Sequence, residues 1–143
     1  LAVAERAING VFPVELRFGI GIGTLSTPLR PDAIGMDGEA WHAANRALGL
    51  ARSRRKYVMF SGFGELTDVQ LCALANLLLH MRNGWSPEQR RAIELVDAGM
   101  MQSAAAEALG VSESAISQRL TSAGWHFYTD GREAVANLLR PRP

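Results

Sequence analysis

The sequence predicts an α+β fold: a truncated α/β part over residues 1–64, a long linker helix over 65–84 and an all-α domain over 85–143. Three observations lead to this prediction. Strict alternation of apolar residues near the start predicts a β-strand, a long apolar helical pattern occupies the middle, and helix start and stop signals recur through the remainder. The length of 143 residues suits one typical domain or two small ones.

Composition and charge describe a globular chain. With 48% hydrophobic and 20% charged residues, the chain is predicted to fold around a core, and its net charge of +1 neither indicates nor excludes a nucleic-acid partner. The single cysteine, Cys72, excludes an internal disulfide, and its apolar neighbours predict a buried, inert thiol. Because the chain shows no leader peptide and no apolar run of about 18 residues, we expect a cytoplasmic protein without a membrane span.

The first strand is predicted from VELRFGIGIG, residues 14–23, in which every second side chain is apolar. Gly19, Gly21 and Gly23 lie on its other face, and glycines within a strand mark a close approach by backbone, a helix or a ligand. A loop, the helix GEAWHAANRALGLAR and the short strand KYVMFSG follow. We expect part of the parent domain to precede Leu1, because LAVAERAINGVF resembles a passage from a helix to a strand.

The linker helix is predicted from TDVQLCALANLLLHMRNG. Thr67 and Gln70 have the spacing of a capping box at its start, and Asn83-Gly84 is a stop signal. Apolar residues nearly encircle this helix, which predicts that it is buried between the two halves of the chain.

Four further helices are predicted after the linker. Ser86, Pro87 and Gln89 form a strong start for one that runs to about residue 98, and the others cover about 103–109, 113–123 and 131–139. Aromatic residues flanking these helices are predicted to pack them against the linker and the last helix: Trp85, Trp125, Phe127 and Tyr128. Apolar residues of the last helix are predicted to form a homodimer face: Ala134, Val135, Leu138 and Leu139.

The segment ALGVSESAISQRL, residues 108–120, predicts a helix-turn-helix motif. Small residues precede the turn, Gly110 tolerates a left-handed backbone there, and Ile116, Leu120 and Ala123 form one apolar stripe on the second helix. The opposite side carries short, polar, uncharged residues suited to base edges and phosphates of double-stranded DNA: Ser114, Ser117, Gln118 and Thr121. Arg119 lies beside the stripe, where we expect a phosphate contact.

A generic helical hairpin with solvated polar residues is the alternative, and charge favours it. Residues 84–143 carry six arginines against seven aspartates and glutamates, whereas affinity for DNA depends on neutralising phosphates. Glu113 would repel phosphate unless it accepts a bond from cytosine. Dimerisation, or arginines placed near the phosphates, would have to offset this acidic charge. The candidate arginines are Arg119, Arg132, Arg140 and Arg142.

Three resemblances accompany these patterns. The first is to the helix-turn-helix of sigma-factor region 4 and of LuxR-type regulators, and it is carried by SPEQRRAIELVDAGMMQSAAAEALGVSESAISQRLTSAG. This resemblance implies that residues 112–121 form a recognition helix. Ala105 departs from it, since those families prefer Ile or Leu at that position.

The second resemblance covers most of the chain and is to the SatD family, through RFGIGIGTLSTPL, GMDGEAWHAANRAL and GWSPEQ. It implies a cytoplasmic bacterial protein with a regulatory role.

The N-terminal part is distantly similar to class III nucleotide cyclase domains. Arg17, Gly19, Ile20 and Gly23 match the strand of that family, whereas in the following helix only Arg46 keeps the family residue. The positions where the family has Asp, Val and Asn hold other residues here: Glu39, Trp41 and His42. The resemblance therefore implies a cyclase-like fold without the activity.

Signals for an enzyme are weak. Asp32, Asp37 and Glu39 suggest a metal site, but acids also suit a loop and the first turn of a helix. His42, His80 and His126 lack the spacing of metal ligands, and no arrangement of Ser, Cys or His suggests a nucleophile. The basic run at residues 52–56 is either a solvated loop or a contact for phosphate or RNA. We expect no enzyme activity, cofactor or metal.

These observations together predict a bacterial DNA-binding transcription regulator that acts as a homodimer. The residues predicted to contact DNA are Ser112, Ser114, Ser117, Gln118, Arg119 and Thr121. Two alternatives stay open: a protein-docking module with the same helices, and a degenerate nucleotide-binding domain without catalysis.

Overall fold

The computed structural model describes residues 16–27 and 37–140. The described residues form a small two-stranded parallel sheet and helices, so the predicted α+β class is confirmed. In chain order the elements are β1 (Phe18–Gly21), α1 (Glu39–Ser53), β2 (Val58–Ser61), α2 (Glu65–Asn83), α3 (Pro87–Asp97), α4 (Gln102–Leu109), α5 (Glu113–Ser122) and α6 (Trp125–Leu138). None of the described helices is both long enough and apolar enough to cross a membrane.

The strands and α1 form a β–α–β unit in which β1 pairs with β2 in parallel, with Phe18 opposite Val58. The glycines of β1 let α1 lie directly on the strand. A Cβ added at Gly19 would lie 2.3 Å from the carbonyl oxygen of Ala44, and one at Gly21 would lie 2.3 Å from the Ala44 nitrogen. Glycines in a strand can admit backbone, a helix or a ligand, and at these glycines of β1 the structure places a helix.

Side chains of α2 satisfy the outer edge of β2. Asn76 Oδ1 accepts from the Tyr57 and Val58 N–H groups at 2.8 and 3.3 Å, and its Nδ2 donates to the Val58 carbonyl at 2.7 Å. Cys72 Sγ accepts from the Phe60 N–H at 3.2 Å. Cys72 is thus half-buried and bonded to the strand edge, not a fully buried thiol, since no strand of the described residues pairs with this edge of β2.

The start of α2 differs from the predicted capping box. The helix begins at Glu65, and no side chain caps it. The carboxylate of Asp68 instead accepts from the Gly62 and Phe63 N–H groups, at 3.0 Å each, and so orders the preceding turn. The predicted capping box at Thr67 was wrong, because the helix begins at Glu65 and Thr67 therefore lies inside its first turn.

The predicted burial of α2 between the two halves of the chain holds for the side that contacts β2 and α6, and the opposite side is exposed. The buried residues of α2 include Leu71, Ala75 and Leu79. The opposite side leaves Leu66, Val69 and Leu77 between 61% and 71% exposed. The sheet and α6 cover one flank of the helix, and no described element covers the other.

Helix α6 packs on α2, and α3 to α5 join it through a continuous hydrophobic cluster that extends from Val58 to Val135. The last helix begins at Trp125, well before residue 131. Gly131 lies inside it, where a Cβ would be 2.6 Å from a methyl carbon of Leu78. The glycine that suggested a helix start is therefore a site of close packing between α6 and α2. Val135 is 1% exposed, so it is a core residue and not part of a free dimer face.

Candidate nucleic-acid interface

A tight turn joins α4 to α5. Gly110 ends α4 with φ 64° and ψ 36°, a left-handed conformation that glycine adopts without a steric penalty. The Ser112 hydroxyl accepts from the Ala115 N–H at 3.2 Å and caps α5. Ala105 and Ala106 are buried, so the Ala105 position that departs from the regulator families lies in the interior of the fold. The predicted glycine turn and serine start thus match the observed backbone.

Helix α5 has one buried and one exposed side. Ile116 and Leu120 are 0% and 3% exposed, and they belong to the main core cluster. The predicted contact residues on the other side are exposed: Ser114, Ser117, Gln118 and Thr121. Ser114 lies 2.9 Å from the Ser112 hydroxyl. The side chains of Ser117, Gln118 and Thr121 make no hydrogen bond to any other described residue, so their polar groups face solvent.

Two side chains from outside the motif hold the carboxyl end of α5. Trp85 Nε1 donates to the Ala123 carbonyl at 2.8 Å, and Gln89 Nε2 donates to the Ser122 hydroxyl at 3.0 Å. Gln89 is itself held by the capping box that it forms with Ser86, as the sequence predicted. These positioning roles were missed, because a contact between residues 85 and 123 leaves no local sequence signal.

An aromatic cluster surrounds this anchor. The ring centroid of Trp85 lies 4.7 Å from that of Tyr128 and 6.1 Å from that of Trp125. The expectation that aromatic residues pack the C-terminal helices together holds for these three. It was wrong for Phe127, which is 76% exposed because it lies on the side of α6 that faces solvent.

The structure uses several arginines for internal contacts. Arg132 Nη1 lies 2.9 Å from both carboxylate oxygens of Asp97. Arg90 donates to the Arg82 and Asn83 carbonyls at the end of α2. Of the four arginines proposed to offset the acidic charge, Arg132 is therefore engaged, and Arg142 lies outside the described residues.

Arg119 lies on α5 and faces the start of α3. The pKa of the exposed Glu88 carboxyl there is lowered, chiefly by a backbone hydrogen bond, then by the Ser86 hydroxyl, and to a smaller extent by the positive charge of Arg119. Arg119 is half-exposed and so still accessible. Arg140 is exposed beyond the end of α6.

The family model for SatD matches residues 4–139, which include both the β–α–β unit and the C-terminal helices. The chain belongs to the SatD family. This confirms the resemblance found from the glycine-rich strand and the GWSPEQ segment. Comparisons with curated proteins and with solved structures found no match.

Two acidic residues that suggested a metal site in this SatD family protein, Asp37 and Glu39, have hydrogen-bonding partners. Asp37 Oδ1 accepts from the Gly38 N–H at 2.8 Å and lies 2.9 Å from His42 Nε2. Glu39 accepts from the Thr24 hydroxyl at 3.0 Å, and Asp32 lies outside the described residues. Within ranges 16–27 and 37–140, no three His, Cys, Asp or Glu residues form a group able to hold a metal ion.

Proposed function

We propose that this SatD family protein is a DNA-binding regulator whose α4 and α5 form a helix-turn-helix. The observation that carries the proposal is the two-sided character of α5. Ile116 and Leu120 fix one side in the core, while Gln118 and its polar neighbours are exposed and have no partner among the described residues. A helix held in this way can enter the major groove with its polar side toward the bases.

The side chains suggest how contacts would divide. Gln118 has the amide that pairs with adenine through two hydrogen bonds, and Ser117 and Thr121 can contact a base or a phosphate. Arg119 would contact a phosphate from the edge of the helix. Since Arg132 is paired with Asp97, few positive charges remain, and we expect weak binding by one chain and a shallow salt dependence.

Fluorescence anisotropy with a mixture of labelled random-sequence duplexes at low salt tests the proposal. We expect saturable binding that weakens as salt is added. No change in anisotropy at low salt would refute DNA binding, because electrostatic attraction is strongest under that condition.

Three variants separate base contacts from phosphate contacts. Gln118→Ala should weaken selection at one base pair by about 1–3 kcal/mol, measured by binding to a panel of selected duplexes. Arg119→Ala should lower the slope of log K against log salt by about one unit. Arg46→Ala is the matched control, because Arg46 is exposed on α1, outside the proposed helix-turn-helix, and should leave the slope unchanged.

Protein docking through the same helices is the second candidate, and the acidic charge of residues 84–143 favours it. If the wild-type chain does not bind DNA, this candidate takes its place. The nucleotide-binding alternative has less support, because α1 occupies the face of the glycine-rich strand that a phosphate would need.

A further inference from the structure

We infer that the cleft between the outer edge of β2 and the exposed side of α2 binds an organic anion with an apolar body. This inference does not rest on DNA binding. The cleft has a volume of about 720 Å³, within the range of about 300–1,000 Å³ that is usual for small-molecule sites. Its walls include Met59 of β2 and Val69, Ala73 and Leu77 of α2.

The cleft has opposite electrostatic character at its two ends. Hydrogen bonds between the Tyr57 N–H and Asn76, and between the Gly62 N–H and Asp68, show that β2 and α2 run in opposite directions along it. Arg54, Arg55 and Lys56 therefore lie at the Asn76 end, and Asp68 lies at the far end. The Asp68 carboxylate is already occupied by two N–H groups. None of the three basic side chains forms an ion pair with a described residue, so this end is ready to attract an anion.

The middle of the cleft suits an apolar part of a ligand, because the polar side chains there already form hydrogen bonds within the protein. Asn76 and Cys72 are bonded to the edge of β2, so they offer few free donors or acceptors. Val69 and Leu77 are 62% and 61% exposed, which is unfavourable unless a partner covers them. The distance along α2 from residue 69 to residue 80 is about 16 Å, enough for a medium-length acyl chain.

The backbone at Arg55 gives independent support. The Lys56 N–H donates to the Ala51 carbonyl at 2.9 Å and closes a Schellman motif at the end of α1. Arg55 is the left-handed residue of that motif, with φ 53°, and it is the one non-glycine residue with positive φ in the described part of the chain. Glycine would be less strained at this position, and the arginine that stands there instead presents a cation to the cleft.

A second copy of the chain is the alternative occupant of the cleft, and the sedimentation experiment below distinguishes it from an anionic ligand. An anionic ligand satisfies the positive end and the apolar walls together.

Isothermal titration with decanoate, below its micelle concentration, tests the inference. We expect one decanoate per chain, with binding about tenfold tighter than that of decyltrimethylammonium, which has the same chain length and the opposite charge. Arg55→Gly should weaken decanoate binding by about fivefold, in line with a surface charge contact, while the chain stays as stable as the wild type or becomes more so. Ala73→Trp should fill the cleft and abolish binding of both probes.

Arg52→Ala is the matched control, because it removes a charge from the same basic run without removing a lining residue. It should change decanoate affinity by less than about twofold. Equal binding of the two probes, an unchanged affinity in Arg55→Gly, or normal binding in Ala73→Trp would each overturn the inference. Sedimentation that reveals a dimer disrupted by Ala73→Trp would overturn it as well, since a second chain would then cover the cleft.

Discussion

The close contact between β1 and α1 predicts that alanine substitutions at two glycines change the stability of the fold in opposite directions. Gly21 lies on the strand under α1, where an added Cβ would be 2.3 Å from the Ala44 nitrogen and 2.5 Å from the Ala40 carbonyl oxygen. Ordinary contact begins near 3.4 Å, so the helix would have to move away by about 1 Å. Gly49 lies on the exposed side of α1, and an added Cβ there meets nothing within 4 Å.

Gly21→Ala should therefore destabilise the fold by about 1–3 kcal/mol or more, because both clashing atoms belong to a helix backbone and cannot rotate away. Gly49→Ala should stabilise it by about 1 kcal/mol, because alanine favours the helix and loses less backbone entropy than glycine. The two variants add the same methyl group to the same β–α–β unit and should differ by about 2–4 kcal/mol.

Urea denaturation followed by circular dichroism measures this difference. With a slope of about 2 kcal/mol per molar urea, the unfolding midpoints should lie about 1–2 M apart. Equal midpoints, or a midpoint of Gly21→Ala at or above that of the wild type, would refute the direct contact between helix and strand. Such a result would also reopen this face of β1 to a ligand.

Three further predictions concern the C-terminal helices. Trp85→Phe should destabilise the fold by about 2–4 kcal/mol in urea denaturation, because it removes ring volume and leaves the Ala123 carbonyl without its indole donor; a loss below about 0.5 kcal/mol would contradict the role of this bond. Since the pKa of Glu88 is below its usual 4.5 in the folded chain, its stabilising effect is present above that pH and is lost as pH falls through the lowered pKa. The stability difference between Glu88→Gln and the wild type should therefore shrink with acidification below about pH 4.5, and a constant difference would argue against the shift. Glu113→Gln should tighten DNA binding by about two- to tenfold at low salt, in anisotropy titrations, because it removes a charge that repels phosphate; unchanged affinity would mean that this end of α5 does not approach DNA.

Local patterns were sufficient wherever neighbouring residues decide the structure. Alternating apolar residues predicted β1, and Ser86, Pro87 and Gln89 predicted the start of α3 with its capping box, which depends on bonds within one turn. Gly110 and Ser112 likewise predicted the turn before α5, because each acts on its own backbone or on an N–H three residues away. The exposure of the polar side of α5 followed from helical periodicity around Ile116.

Local patterns failed where a competing hydrogen bond, or a packing partner elsewhere in the fold, decides the structure. Thr67 and Gln70 have the spacing of a capping box, but the Asp68 carboxylate binds the turn before α2 and starts the helix earlier. Gly131 resembles a helix boundary in sequence, yet its role is to let α6 approach Leu78. The apolar circumference of α2 does not reveal which side is covered, since that depends on the elements packed around it.

The sequence alone determined the α+β class, the glycine-rich strand and the polar side of α5, because these depend on composition, periodicity and short-range hydrogen bonds. The SatD family was found from the resemblance of its sequence motifs. Only the tertiary structure decided that α1 lies against the glycines of β1, that Trp85 and Gln89 anchor the end of α5, that Arg132 is paired with Asp97, and that a basic-ended cleft lies beside β2. The physical reason is the same in each case: close packing brings together residues that are far apart in the chain, and neither partner carries a local sign of the other.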